Sequence, residues 1–190
     1  MVSASSSDDK LQLYPWRDGY EETRKLLESQ AAGGASVKTV HITADEQIFD
    51  ISADHAVDLF EAIGSSLTNL ESVNLQVSSK RGLANVPPLA AIVSLLLLGE
   101  VKIKYLSMIG VSLQSNDLEF LGFMEAIRIH PTLHSFVVKE CVFASHEHLE
   151  LLRRTLTEKR SSMKHTDLDD NHVIVESCWV NDCSPTCSIL

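Results

Sequence analysis

Four cysteines and eight histidines are the residues best suited to hold a metal or attack a substrate. Their spacing argues against both. A zinc-binding helix sets two histidines four residues apart, so that both rings leave one side. His146 and His148 are two apart and leave a helix on different sides. Cys178, Cys183 and Cys187 stand five and four residues apart, without the C-x-x-C pair of a structural zinc site. His55, His130 and His165 read as surface residues. There is no G-x-S-x-G elbow, no phosphate-cradling P-loop and no carboxylate pair at a catalytic spacing. The expectation is a chain that is not an enzyme, with no catalytic residue, metal or cofactor.

One modification signal stands at the C-terminus. Cys187-Ser188-Ile189-Leu190 loosely matches C-a-a-X, whose terminal leucine favours geranylgeranyl transfer, and Cys183 is a candidate palmitoyl site. Stable anchoring takes two signals, yet no Lys or Arg follows Lys164. A prenylated, membrane-tethered regulatory or adaptor protein is therefore an alternative function. The simpler reading of residues 181–190 is a disordered tail with a free cysteine.

Composition narrows the field further. The chain has 190 residues, 16 Lys+Arg and 26 Asp+Glu, for a formal charge of −10. That length favours one domain. Its 44% hydrophobic and 22% charged content is that of a globular protein. The acidic balance opposes a nucleic-acid groove, which needs clustered Lys and Arg. Met1 to Lys10 has no apolar core of a signal peptide. The longest apolar run, Leu89–Leu98, is half of what a bilayer requires. A cytoplasmic location is expected.

The elements that must position any site alternate. Extended segments are expected at Val37–Thr43, Leu70–Val77, Ile103–Ile109, Leu133–Lys139 and Val173–Val180. Helices are expected at Asp18–Gln30, Asp54–Ile63, Pro87–Leu98, Asn116–Ile129 and Ser145–Arg160. Leu89, Ile92, Val93 and Leu96 follow the i, i+3, i+4, i+7 spacing of a core stripe. Leu118, Leu121 and Met124 are assigned the same role on the next helix. Asn116 and Ser145 are the expected N-caps. Ser161–Asn171 is polar and reads as a loop. Strands alternating with helices predict parallel strands joined by crossovers. The organisation is then a polar lead-in with a capping helix over 1–36, a strand–helix domain over 37–180, and the tail.

The strands repeat. Leu133, Phe136, Val138, Cys141 and Phe143 fall at offsets 0, 3, 5, 8 and 10, and Ile103, Leu106, Met108, Val111 and Leu113 at the same offsets. Val37, Val40 and Ile42 match the first three positions, as do Leu70, Val73 and Leu75. Val173, Val175, Cys178 and Val180 match the last four. Frames begin at 37, 70, 103, 133 and 170, with periods of 33, 33, 30 and 37 residues, the last implying an insertion at Ser161–Asp169.

This pattern, L-x-x-L-x-L-x-x-N/C-x-L, resembles the leucine-rich repeat family, in its ribonuclease-inhibitor-like subclass, over roughly Val37 to Val180. The resemblance implies a short α/β solenoid, a horseshoe arc with a parallel sheet on its concave face and helices on its convex face. It also implies that Cys141 and Cys178 bond the turn backbone beyond their strands. That position makes Cys141 buried and inert rather than a nucleophile. The competing doubly wound sheet would carry a glycine-rich phosphate loop in its first turn. Thr43–Ser52 (TADEQIFDIS) has no glycine and three acids.

Residues between the apolar repeat positions should face outward from the sheet. They include Lys38, His41, Asn74, Gln76, Lys104, Tyr105, Ser107, His134, Lys139 and Glu176. Tyr105 with Lys104 and His134 is the most recognition-like cluster, because an aromatic ring with a polar tip anchors interfaces well. The resemblance implies binding of a protein partner by this face; the plainer alternative is a solvated sheet surface. A small α/β enzyme is the third reading, and the apolar helix Leu89–Leu98 makes self-association a further expectation.

Overall fold

Apolar side chains at every second residue fit a pleated strand with one face buried, and this chain uses the device repeatedly. The computed structural model describes residues 9–33, 36–44, 48–77, 87–99, 101–162 and 173–180. The order is β1 (Lys10–Leu13), α1 (Pro15–Asp18), α2 (Tyr20–Ala32), β2 (Thr39–Ala44), α3 (Ala53–Ser66), β3 (Ser72–Val77), α4 (Leu89–Leu97), β4 (Tyr105–Ile109) and β5 (Ser112–Leu113). It continues with α5 (Asp117–Ile129), β6 (Ser135–Lys139), β7 (Val142–Phe143), α6 (His146–Ser162), β8 (Val173–Glu176) and β9 (Trp179–Val180).

The result is an α/β fold. Six parallel strands form one sheet in the order β1-β2-β3-β4-β6-β8, so strands that follow one another along the chain also pair. The short strands β5, β7 and β9 form a second parallel sheet. Crossovers between parallel strands share one hand. With the strands in chain order, that places the helices on one side. Each helix from α2 to α6 touches the next in turn.

The register superposes the repeat positions. Val40, Val73, Leu106, Phe136 and Val173 form one cross-strand row, and Ile42, Leu75, Met108, Val138 and Val175 the next. Leu113, Phe143 and Val180 align in the small sheet. The first two rows face the helices; their members from β2 to β6 belong to a single apolar core with Leu59, Phe60, Ile63, Leu95 and Leu152, and Val173 and Val175 pack against it.

A left-handed turn joins the two sheets. Gly110, Glu140 and Ser177 follow β4, β6 and β8 directly and have φ of 70°, 53° and 52°. A Cβ on Gly110 would lie 2.2 Å from the Val77 carbonyl oxygen, so no larger residue fits there. Gly64 has a related role in α3: a Cβ there would meet Leu98 at 2.5 Å. Its absence lets the end of α4 close against α3.

The capping expectations agree with the structure. Asn116 accepts from the Glu119 amide at 3.0 Å and Ser145 from the His148 amide at 3.2 Å. Ser52 does the same for α3 through the His55 amide.

Four expectations need correction. No strand is expected before Val37, whereas Lys10–Leu13 forms the edge strand β1, pairing in register with Thr39–Ile42. Leu118 and Leu121 are not core: Leu118 is 80% exposed, and α5 instead buries Phe120, Phe123, Met124 and Ile127. Those residues also have i, i+3, i+4, i+7 spacing and carry two aromatic rings, so turning them inward buries more apolar area. Third, His130 is not a surface residue, because it is 2% exposed. Gly19 also divides the expected first helix, its φ of 89° separating α1 from α2.

Candidate functional site

The sheet face turned away from the helices is where most of the outward positions meet. Parallel in-register pairing stacks equal repeat offsets side by side. Thr39, Ser72, Tyr105 and Ser135 form one row; His41, Asn74, Ser107 and Val137 the next; Gln76, Ile109, Lys139 and Glu176 a third. Lys38, Glu71, Lys104 and His134 directly precede the strands. The amides of Glu71 and Ser72 donate to the Lys38 carbonyl, and those of His134 and Ser135 to the Lys104 carbonyl.

Much of the charge on this face is satisfied internally. Lys104 Nζ lies 3.0 Å from Glu71 Oε1, and Lys139 Nζ lies 3.1 Å from Glu176 Oε2. Both pairs link neighbouring strands. Gln12 Nε2 donates to Thr43 Oγ1 at 2.8 Å, and Asn74 Nδ2 reaches Ser72 Oγ at 3.4 Å. The other outward side chains differ in exposure. Lys38 and Gln76 are exposed, and His41, Tyr105 and His134 are half-buried. The Tyr105 hydroxyl has no hydrogen-bond partner among the described residues. His134 Nδ1 is buried without one. Burial, with Lys10 nearby, holds the His41 imidazole below its ordinary value. Ser107, placed among the outward positions, is only 4% exposed and offers little surface.

The face is therefore zoned. On the β1–β3 side it is polar and carries the exposed Lys10 and Lys38. Toward β6 and β8 it becomes apolar through Ile109, Val137 and Ile174, with Tyr105 at the boundary. Such a surface can hold a strand or loop that offers both apolar and polar side chains. Among the described residues, no group of three or more His, Cys, Asp or Glu side chains is placed to hold a metal ion.

The cysteines at the repeat position act alike. Cys141 Sγ donates to the Met108 carbonyl at 3.5 Å and the Lys139 carbonyl at 3.3 Å. Cys178 Sγ donates to Val138 at 3.7 Å and Glu176 at 3.4 Å. Each thiol thus ties the preceding strand to its own. Burial, chiefly, pushes the Cys141 thiol up to about 12, so it carries negligible thiolate near neutral pH. Cys183 and Cys187 lie outside the described residues.

Other polar groups come together only through the fold. His148 Nε2 lies 3.0 Å from Asp117 Oδ1, and its ring stacks on Phe120 at 4.1 Å. Tyr20 donates to Asp58, whose other neighbour is Arg24 at 3.7 Å, and the Tyr20 ring stacks on His55. A cavity of about 330 Å³ beside that group is lined by Asp18, Gly19, Phe49 and Asp50 among others. Tyr20 and Asp58 are 38 residues apart, and no local spacing connects them.

No family model matches the chain, and neither the curated proteins nor the solved structures contain a match to it. No helix among the described residues is long and apolar enough to cross a membrane.

Proposed function

We propose that the chain is a short leucine-rich-repeat-like solenoid that works without catalysis, binding a protein partner through the open face of its large sheet. Tyr105 is the central anchor. His134 and Lys104 flank it on one side, and His41, Asn74 and Gln76 extend the contact toward β2. The observation that carries this reading is the in-register stacking of repeat positions, which brings residues about 33 apart in sequence onto one surface. At its centre stands an aromatic residue whose hydroxyl has no hydrogen-bond partner among the described residues, a side chain suited to supply both contact area and a directed hydrogen bond. A cytoplasmic setting belongs to the same proposal and is supported by the free thiols of Cys141 and Cys178.

The test is affinity capture with the intact chain against a Tyr105→Ala/His134→Ala double variant. A partner retained by the wild type and lost by a variant that still melts cooperatively supports the proposal. Equal retention by both removes the sheet face from consideration.

A further inference from the structure

On the opposite side of the molecule, the helical layer contains a trough. Helix α4 has nine residues, against 14 in α3 and 13 in α5. At 1.5 Å per residue it is about 6–8 Å shorter than its neighbours. Over the outer side of α4, between α3 and α5, lies a groove of about 460 Å³. Ala90, Val93, Leu97 and Leu98 of the α4 segment and Gly122 of α5 supply its apolar lining. Leu97 is 53% exposed, as is Leu121 beside Gly122, so apolar surface continues beyond the groove.

Gly122 is the informative residue. A glycine inside a helix is about 1 kcal/mol less favourable than alanine. That cost is usually offset by a positive φ or a close neighbour. Gly122 has neither: its φ is not positive, and a Cβ there would meet nothing within 4 Å. What the missing side chain does provide is open space in the wall of the groove.

The charges also have a definite arrangement. Glu61 of α3 and Glu119 of α5 both line the groove, one from each side of α4. Among the described residues neither has an ion-pair partner. An apolar trough with a free carboxylate at either side complements a helix with an apolar stripe and basic flanks.

We infer that the α3–α4–α5 groove is a second docking surface, which takes an amphipathic helix of a partner protein, seating aliphatic side chains against Val93, Leu97 and Gly122 and pairing its Lys or Arg residues with Glu61 and Glu119. This surface is separate from the sheet face, so either site can fail its test while the other stands.

The experiment uses the full chain and a fluorescent synthetic peptide probe, helical, with leucines at i, i+4 and i+7 and lysine flanks. Anisotropy should show saturable binding. Replacing the lysines by glutamates should weaken binding by about tenfold or more. The Glu61→Lys/Glu119→Lys variant should reverse that preference. Gly122→Leu should abolish binding, while Gly122→Ala should raise the melting temperature and still weaken the peptide, separating binding from folding. Absence of saturable binding, indifference to the flanking charge, or full binding by Gly122→Leu would overturn the inference. So would a concentration-dependent dimer that Gly122→Leu disperses, because the occupant would then be a second copy.

Discussion

Cys141 Sγ lies 3.5 Å from the carbonyl oxygen of Met108, a residue 33 positions earlier on the neighbouring strand. The contact joins the beginning of one strand–helix unit to the end of the strand before it, at the point where the chain leaves the large sheet. A buried carbonyl needs a donor, and a small thiol supplies one without the bulk of an amide side chain.

Cys141 should therefore be unreactive in the folded protein. Its thiol is fully buried and held near 12 by that burial. Titration with a thiol reagent at mildly alkaline pH should leave Cys141 unlabelled until denaturant is added, as peptide mapping would show. Rapid labelling under native conditions would contradict the placement. Cys141→Ala should lower stability by about 1–2 kcal/mol, through lost contacts and the loss of the thiol's hydrogen bonds.

Acid should weaken the fold through His130. Both ring nitrogens are buried without a partner among the described residues, and burial, with Lys159 nearby, lowers its value to about 4. The unfolded chain takes up this proton near the ordinary histidine value of about 6.5. Between those two values the unfolded state binds more protons, so stability falls as pH drops from about 6.5 to about 4, by a few kcal/mol at most. Urea denaturation at several pH values should show this slope, and His130→Leu should flatten it. An unchanged slope in the variant would assign the effect elsewhere.

Glu140 should be replaceable with profit. It follows β6 in the left-handed region, at the position Gly110 holds after β4. A non-glycine residue there costs about 1–2 kcal/mol. Glu140→Gly should stabilise by up to about 1 kcal/mol, because glycine's larger unfolded-state entropy offsets part of the gain. Gly110→Ala should destabilise strongly, since its Cβ would overlap the Val77 carbonyl. Equilibrium denaturation of the two variants should give opposite shifts.

His148 should matter more than its partner. The ring is buried on Phe120, whereas the Asp117 side chain is 94% exposed. His148→Ala should cost about 2 kcal/mol in lost packing and an opened cavity. Asp117→Ala should cost about 0.5–1 kcal/mol, from one hydrogen bond and a favourable charge in the first turn of α5. The reverse order in denaturation midpoints would argue against a packing role for the ring.

The cross-strand register was legible in the sequence, because stacking units must superpose equal offsets. Val40, Val73, Leu106, Phe136 and Val173 share offset 3, and they form one row. The same rule brings Glu71 and Lys104, both at offset 1, to neighbouring strands, although their ion pair depends on side-chain conformation. Helix phase was less legible. The α5 sequence DLEFLGFMEAIRI offers two overlapping apolar stripes, and only packing against the sheet selects Phe120 and Phe123 over Leu118 and Leu121. β1 went unread because four residues with two leucines give too little alternation to distinguish a strand. The burial of Ser107 depends on crowding by neighbouring strands, and that of His130 and His148 on where helix ends meet. Neither follows from local sequence.

Side-chain footprinting of the captured complex is the most direct measurement of where the partner sits. Lys38 and Lys104 with acylating reagent, and Tyr105 with iodination, report on the sheet face; Lys25 on α2 reports on the helical layer. The expected result is protection of Lys38, Lys104 and Tyr105 by the partner, with Lys25 labelled as in the free chain. Full labelling of all three sheet-face residues in a saturated complex would contradict the proposed binding surface.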